Sequence, residues 1–261
     1  MTSTLALIGK SGSGKTTLVK AFCKAIKQLH PEKSILLVDN DLTCELAGRF
    51  GLKIHTTIYG IRAGKHEYNT GIPKGMTKQE YIEWALEDIV VNIDENVDII
   101  VSWLVASKDC LCPITTQMNI AFNKFIEQYD FVIFDCEFDL KYLNQLVDCP
   151  INTALIVTNE TNESIHLASE IYEFSKKYAL DGQLGVLLNR VSKSTAQNAV
   201  EQINAFGLDF IGIVEECVSR CDNDGLDEHA TTSTTQAQID ENKLLEDVLT
   251  VFPRLNLPQR G

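Results

Sequence analysis

Basic residues are scarce in this sequence. Lysine and arginine together number 23 against 36 aspartates and glutamates over 261 residues, for a formal net charge of −13. A chain that grips nucleic acid or an anionic membrane constitutively needs a basic patch to neutralise phosphate, so neither is expected as a partner. Long apolar runs are also missing. None approaches the roughly 18 residues of a membrane-spanning helix, and no charged-then-apolar leader opens the chain. The expected location is therefore the cytoplasm. Internal repeats are absent, and no break in composition marks a domain boundary, so residues 1–261 are expected to form a single domain.

What is present fits an α/β architecture. Hydrophobic residues make up 44 % of the chain, enough for a sizeable core. Apolar runs of strand type fall at Thr4–Ile8, Ser34–Val38, Asp98–Trp103, Phe131–Asp135, Thr153–Thr158, Gly185–Leu188 and Phe210–Val214. Several are apolar throughout, as strands are when helices cover both faces of a parallel sheet. Helix-period segments separate them at Thr16–Leu29, Lys78–Asn92, Ile114–Tyr129, Ser164–Tyr178 and Ser194–Phe206, with a last helix near Ile239–Val251. Lys53–Met76 and Asp222–Gln238 read as irregular. The alternation predicts one doubly wound, mostly parallel sheet with helices on both faces, and ligands at the carboxyl ends of its strands.

The most specific motif is Gly9-Lys10-Ser11-Gly12-Ser13-Gly14-Lys15-Thr16, which satisfies G-x-x-x-x-G-K-[ST] between a strand and a helix. Glycines are needed where successive backbone N–H groups turn inward onto phosphate oxygens. Lys15 is placed to reach the β- and γ-phosphates, and the Thr16 hydroxyl to ligate Mg²⁺. Residues Gly9 to Thr17 are thus expected to hold ATP or ADP with Mg²⁺, the helix N-terminus adding its dipole. Two acids close the next strand, Asp39 and Asp41. One can hold metal-bound water while the other orients the water that attacks the γ-phosphate. Phe131-Val132-Ile133-Phe134-Asp135 reads as a Walker B strand that delivers one carboxylate to the metal shell. Gly185-Val186-Leu187-Leu188-Asn189-Arg190 is a late strand-type run that ends in an asparagine and an arginine.

Eight cysteines in a reducing compartment read as thiols or metal ligands rather than disulfides. Cys110 and Cys112 stand two apart just before Pro113, so in extended backbone both sulfurs face one way. Two thiolates cannot close a tetrahedral site alone, but a two-fold dimer supplies four. Cys23, Cys44, Cys136 and Cys149 read as core or incidental cysteines, and Cys217 with Cys221 as a weaker pair spaced for one helix face.

The extra lysine, Lys10, resembles that of the deviant P-loop of the nitrogenase-iron-protein, MinD and ParA class of dimeric ATPases, with Ser11 where that class usually has glycine. The resemblance implies that Lys10 reaches across a dimer to the partner's nucleotide, and that Asp41 is the hydrolysis-linked aspartate of the first switch. It also implies that Asn189 and Arg190 lie at the adenine. Within that class, Gly71-Ile72-Pro73-Lys74-Gly75-Met76-Thr77-Lys78-Gln79-Glu80-Tyr81, the later Cys110-Leu111-Cys112-Pro113 and then Asp135-Cys136-Glu137 are similar to CooC-type ATPases, the nickel-insertion accessory proteins of carbon monoxide dehydrogenase. That similarity implies an ATP- and metal-dependent homodimer that holds Zn²⁺ or Ni²⁺ on Cys110 and Cys112 and serves a client metalloenzyme. Lys10, Lys15 and Asp41 would be its catalytic set. Two other readings stand beside it: a partition or positioning ATPase of the MinD/ParA type, and an iron–sulfur ATPase with Cys110 and Cys136 as ligands.

Overall fold

A computed structural model describes residues 1–41, 43–63, 72–102, 113–138, 151–177, 182–192, 194–216 and 231–258. Eight strands form one sheet in the order β3-β4-β2-β5-β1-β6-β7-β8. They are β1 (Ser3–Ile8), β2 (Ile35–Asn40), β3 (Val91–Asp94), β4 (Val97–Val101), β5 (Phe131–Cys136), β6 (Thr153–Thr158), β7 (Gln183–Val191) and β8 (Phe210–Glu215). All neighbours run parallel except β3 and β4, which form an antiparallel hairpin. The helices are α1 (Lys15–Leu29), α2 (Glu45–Arg49), α3 (Ile58–Ala63), α4 (Lys78–Ile89), α5 (Pro113–Ile126), α6 (Asn162–Ser175), α7 (Ala196–Ala205) and α8 (Thr231–Val251).

The apolar runs are central because alternate residues feed opposite cores. In β1, Leu5 and Leu7 join the side packed by α1, α2 and α8, whereas Ala6 and Ile8 join the side packed by α3 to α7. Every residue of β1, β2, β5 and β6 is buried, the signature of a parallel sheet covered on both faces. Strand order reverses around β1, which lies between β5 and β6. Such a reversal opens a crevice at the carboxyl ends of the strands, and the glycine-rich loop leaves β1 at that point.

All seven expected strands form, with no end shifted by more than three residues and Thr153–Thr158 matched at both ends. Three expectations need correction. The helix expected over Lys78–Asn92 stops at Ile89, and Asn92 belongs to β3. Val90 and Val91 are β-branched and favour extended backbone, and Asn96 takes the left-handed conformation that turns the chain into β4. The stretch Lys53–Met76, expected to be irregular, contains α3, whose Ile58 and Ile61 are core residues. The last helix begins at Thr231, inside the segment expected to be a loop, although its threonine-rich start has low helix propensity. The buried Val248 and Val251 anchor its far end.

Both sheet edges carry polar contacts. On β3, Asp94 pairs with Lys27 and Asn92 donates to Asp98 Oδ1 at 2.9 Å. On β8, Arg254 donates to the Ile211 carbonyl and the Glu215 amide donates to Asp247, both at 2.8 Å. Phe122 of α5 is fully buried, with its ring 6.3 Å from that of Phe125. Phe122→Ala should cost about 3–5 kcal/mol, read as a lowered midpoint in chemical denaturation.

Candidate nucleotide site

The loop from Gly9 to Gly14 joins β1 to α1, and its conformation explains its glycines. Gly9, Gly12 and Gly14 all have positive φ, at 134°, 79° and 94°. A Cβ on Gly9 would collide with the Val157 carbonyl of β6, and one on Gly14 with the Asn189 side-chain nitrogen. Gly14 is the N-cap of α1 and provides no side-chain cap, and no acid occupies the first turn. The opening N–H groups of a helix have no intrahelical partners, so those of α1 face the loop as an anion site.

Lys15 is 6 % exposed, and its ammonium donates to the carbonyls of Gly9 at 2.9 Å and Lys10 at 3.2 Å. Burial lowers its pKa, opposed chiefly by the negative charges of Asp135 and Asp41. The loop therefore contains a positive group surrounded by backbone dipoles and acids, ready to meet a polyphosphate.

The acids come from neighbouring strands. In the parallel register of β2 and β5, Asp39 lies opposite Asp135 and Asn40 opposite Cys136. Asp39 is fully buried and accepts from the Ala47 amide at 3.0 Å and the Asp41 amide at 3.3 Å. Burial pushes its pKa up to about 6 despite those bonds. Asp135 is raised further, to about 7, first by burial and then by the charge of Asp39, while the Thr16 hydroxyl and Lys15 favour its ionised form. Neither Asp135 oxygen has a partner at hydrogen-bonding geometry. A buried carboxylate without such a partner, beside a buried threonine hydroxyl, is the donor set of a hard divalent cation. Thr16 and Asp135 would hold Mg²⁺, which supplies charge neutralisation between the β- and γ-phosphates.

Asp41 follows β2 and is half-buried. Its Oδ1 accepts from the Thr43 amide at 2.8 Å and hydroxyl at 2.6 Å. On the other side of the loop, the Asn189 amide donates to the Ser13 carbonyl at 2.7 Å and Arg190 to the Gly12 carbonyl at 3.4 Å. Arg190 has a φ of 59°, unusual for a residue with a Cβ. Lys10 is exposed and its ammonium lies 3.5 Å from Glu163. The structure thus gathers Gly9 to Thr17, Asp39, Asp41, Asp135, Asn189 and Arg190 around one crevice. Cys110 and Cys112 lie outside the described residues, as do Cys149, Cys217 and Cys221. Cys23 and Cys136 are core residues and Cys44 is half-buried. Among the described residues, no group of three or more metal-binding side chains assembles, and no helix is long and apolar enough to cross a membrane.

Residues 5–227 match the CobQ/CobB/MinD/ParA nucleotide binding domain family. The chain belongs to this family. It is a P-loop ATPase, and an ATP-binding protein of Methanocaldococcus jannaschii is 24 % identical over 211 residues, covering 80 % of this chain and 82 % of that one. The fold is shared with solved structures at lower identity. The MinD cell division protein of Aquifex aeolicus matches with a TM-score of 0.62 at 17 % identity, over 99 % of this chain and 100 % of that chain. A ParA family ATPase of Chlorobium tepidum gives 0.61 at 16 %, over 95 % and 98 %. Sequence reasoning missed Thr43, which donates to Asp41, and Ser102, which donates to the Asp39 carbonyl. They sit in no motif, and only the packing of neighbouring strand ends exposes them.

The raised carboxylates make a signed pH prediction. Asp135 ionises near 3.8 when unfolded and near 7 when folded, so between those values the native state binds the extra proton. Its contribution to stability is complete below pH 4 and is lost as pH rises toward 7. Asp39 does the same over a window closing near 6. The nucleotide-free protein should lose stability from pH 4 to 7.5 in urea unfolding, and Asp135→Asn should flatten that decline while abolishing Mg²⁺-dependent tightening of ATP binding.

Proposed function

We propose that this ATPase is a nucleotide-switched homodimer that carries a soft metal ion, nickel or zinc, between its subunits and assists nickel-site maturation of a carbon monoxide dehydrogenase or related enzyme. One observation carries the link between nucleotide and metal. Ser102, the residue after β4, donates its amide to the Asp39 carbonyl at 2.9 Å, and its hydroxyl bonds the Asn40 side chain. In sequence, the chain runs from there to Cys110 and Cys112 and then to Pro113, the first residue of α5. The strand that carries Asp39 and leads into Asp41 is thus fastened to the residue after which, in sequence, the cysteine segment follows.

The chemistry follows from linkage. ATP held by Lys15 in its own chain and Lys10 from the partner would favour a tighter dimer, and a tighter dimer would alter how the two cysteine pairs meet. Asp41 would orient the attacking water, and hydrolysis would remove the charge that Lys10 spans. The same family membership and fold also support a second reading, a partition or positioning ATPase. The net charge of −13 and the paired cysteines favour the metal reading.

Metal analysis tests the cargo. The protein should retain about one Zn²⁺ or Ni²⁺ per two chains, as four thiolates from two chains require, and Cys110→Ala with Cys112→Ala should remove it while sparing ATP binding. One tightly held ion per monomer, or an unchanged content in the double variant, would overturn the arrangement. The dimer is tested separately. Lys10→Ala should bind ATP but lose ATP-induced dimerisation in sedimentation, and equal dimerisation in both proteins would leave Lys10 a surface lysine.

A further inference from the structure

Glu160 lies in the turn between β6 and α6 and belongs to no nucleotide-binding motif. One of its carboxylate oxygens accepts from the Ser192 amide at 3.0 Å and also from the Thr195 hydroxyl. Ser192 and Thr195 belong to the turn that follows β7, directly after Asn189 and Arg190. The hydroxyls there are linked to one another, Ser192 to Ser194 at 2.9 Å and to Thr195 at 2.7 Å. That turn is therefore held from two sides, with Asn189 and Arg190 on the carbonyls of Ser13 and Gly12 and Glu160 on its far end.

The support for Glu160 is itself fixed. Asn159 Oδ1 accepts from the Thr161 amide at 3.1 Å and hydroxyl at 2.9 Å. Thr161 then caps α6 by accepting from the Ser164 amide at 3.3 Å. A carboxylate on a rigid turn, receiving one N–H and one O–H, is a charge-assisted clamp. It joins the segments that follow β6 and β7, two strands paired in register as far as Thr158 and Leu188.

We infer that Glu160 is a positioning residue for the base side of the nucleotide site. It holds the turn after β7 against the phosphate loop, so that Asn189 and Arg190 are already in place when a base arrives. The energetic reason is preorganisation: a turn ordered before binding does not charge its ordering entropy to the ligand. Among the described residues the hydrogen bonds of Glu160 go to Ser192 and Thr195 and none to the phosphate loop, so its effect falls first on ligands that carry a base. The inference rests on the reading of Asn189 and Arg190 as the base side.

The test compares MgATP with magnesium tripolyphosphate, a probe with the phosphate chain and no nucleoside, by calorimetry on the full chain. Glu160→Ala should weaken ATP about tenfold, the scale of one charge-assisted hydrogen bond, and leave tripolyphosphate within about twofold. Glu160→Gln keeps an acceptor oxygen without the charge and should fall between, and it carries the test where the alanine variant fails to fold. Equal losses for both ligands would make Glu160 a general support of the fold and overturn its base-side role. Unchanged ATP affinity would overturn the clamp itself. A wild-type protein that binds tripolyphosphate as tightly as ATP would remove the base-side assignment of Asn189 and Arg190, and the inference with it.

Discussion

Two carboxylates placed side by side at the dry end of a parallel sheet set the terms for the rest of this molecule. Asp39 and Asp135 are partners in register, both wholly buried, and each is driven toward its protonated form. Like charges in such a place are unfavourable unless a cation answers them. Lys15 answers in part, and the arrangement is complete only with further positive charge. The site is therefore built at the expense of the fold's own electrostatics, the usual exchange where function requires groups that stability alone would not select.

Glycine chemistry is the second constraint. The phosphate loop threads between the ends of β6 and β7, close enough that a methyl group on Gly9 or Gly14 would strike protein atoms. The loop is shaped by its neighbours as much as by its own sequence. The same closeness brings Asn189 onto the loop backbone, so the end of β7 and the phosphate loop form one hydrogen-bonded unit.

Much of this was legible in the residues. Strands covered on both faces announce themselves as unbroken apolar runs, and the loop motif with its flanking strand and helix located the site. Asp39, Asp41 and Asp135 followed from where their strands had to end. The unread parts have physical causes. β3 is a short edge strand with half its residues wet, and a helical period running into it hides it. α3 lies among residues of poor helical preference, which the burial of Ile58 and Ile61 overrides, and the threonine-rich start of α8 hides its first turns from a propensity reading. Glu160 and Ser102 act through contacts between turns that are adjacent in space and distant in sequence. The cysteine pair lies outside the described residues, and the role proposed for it requires a second chain, which a single sequence does not display.

The two polar-trimmed edges of the sheet have a consequence for how copies of this protein meet. An open strand edge invites another strand, and through it uncontrolled growth into fibres. Here β3 is four residues long with a charged end paired to Lys27, and β8 gives a carbonyl to Arg254 and an amide to Asp247. Margins occupied in this way disfavour strand exchange, so any contact between copies would have to come from side chains and loops rather than from main-chain pairing.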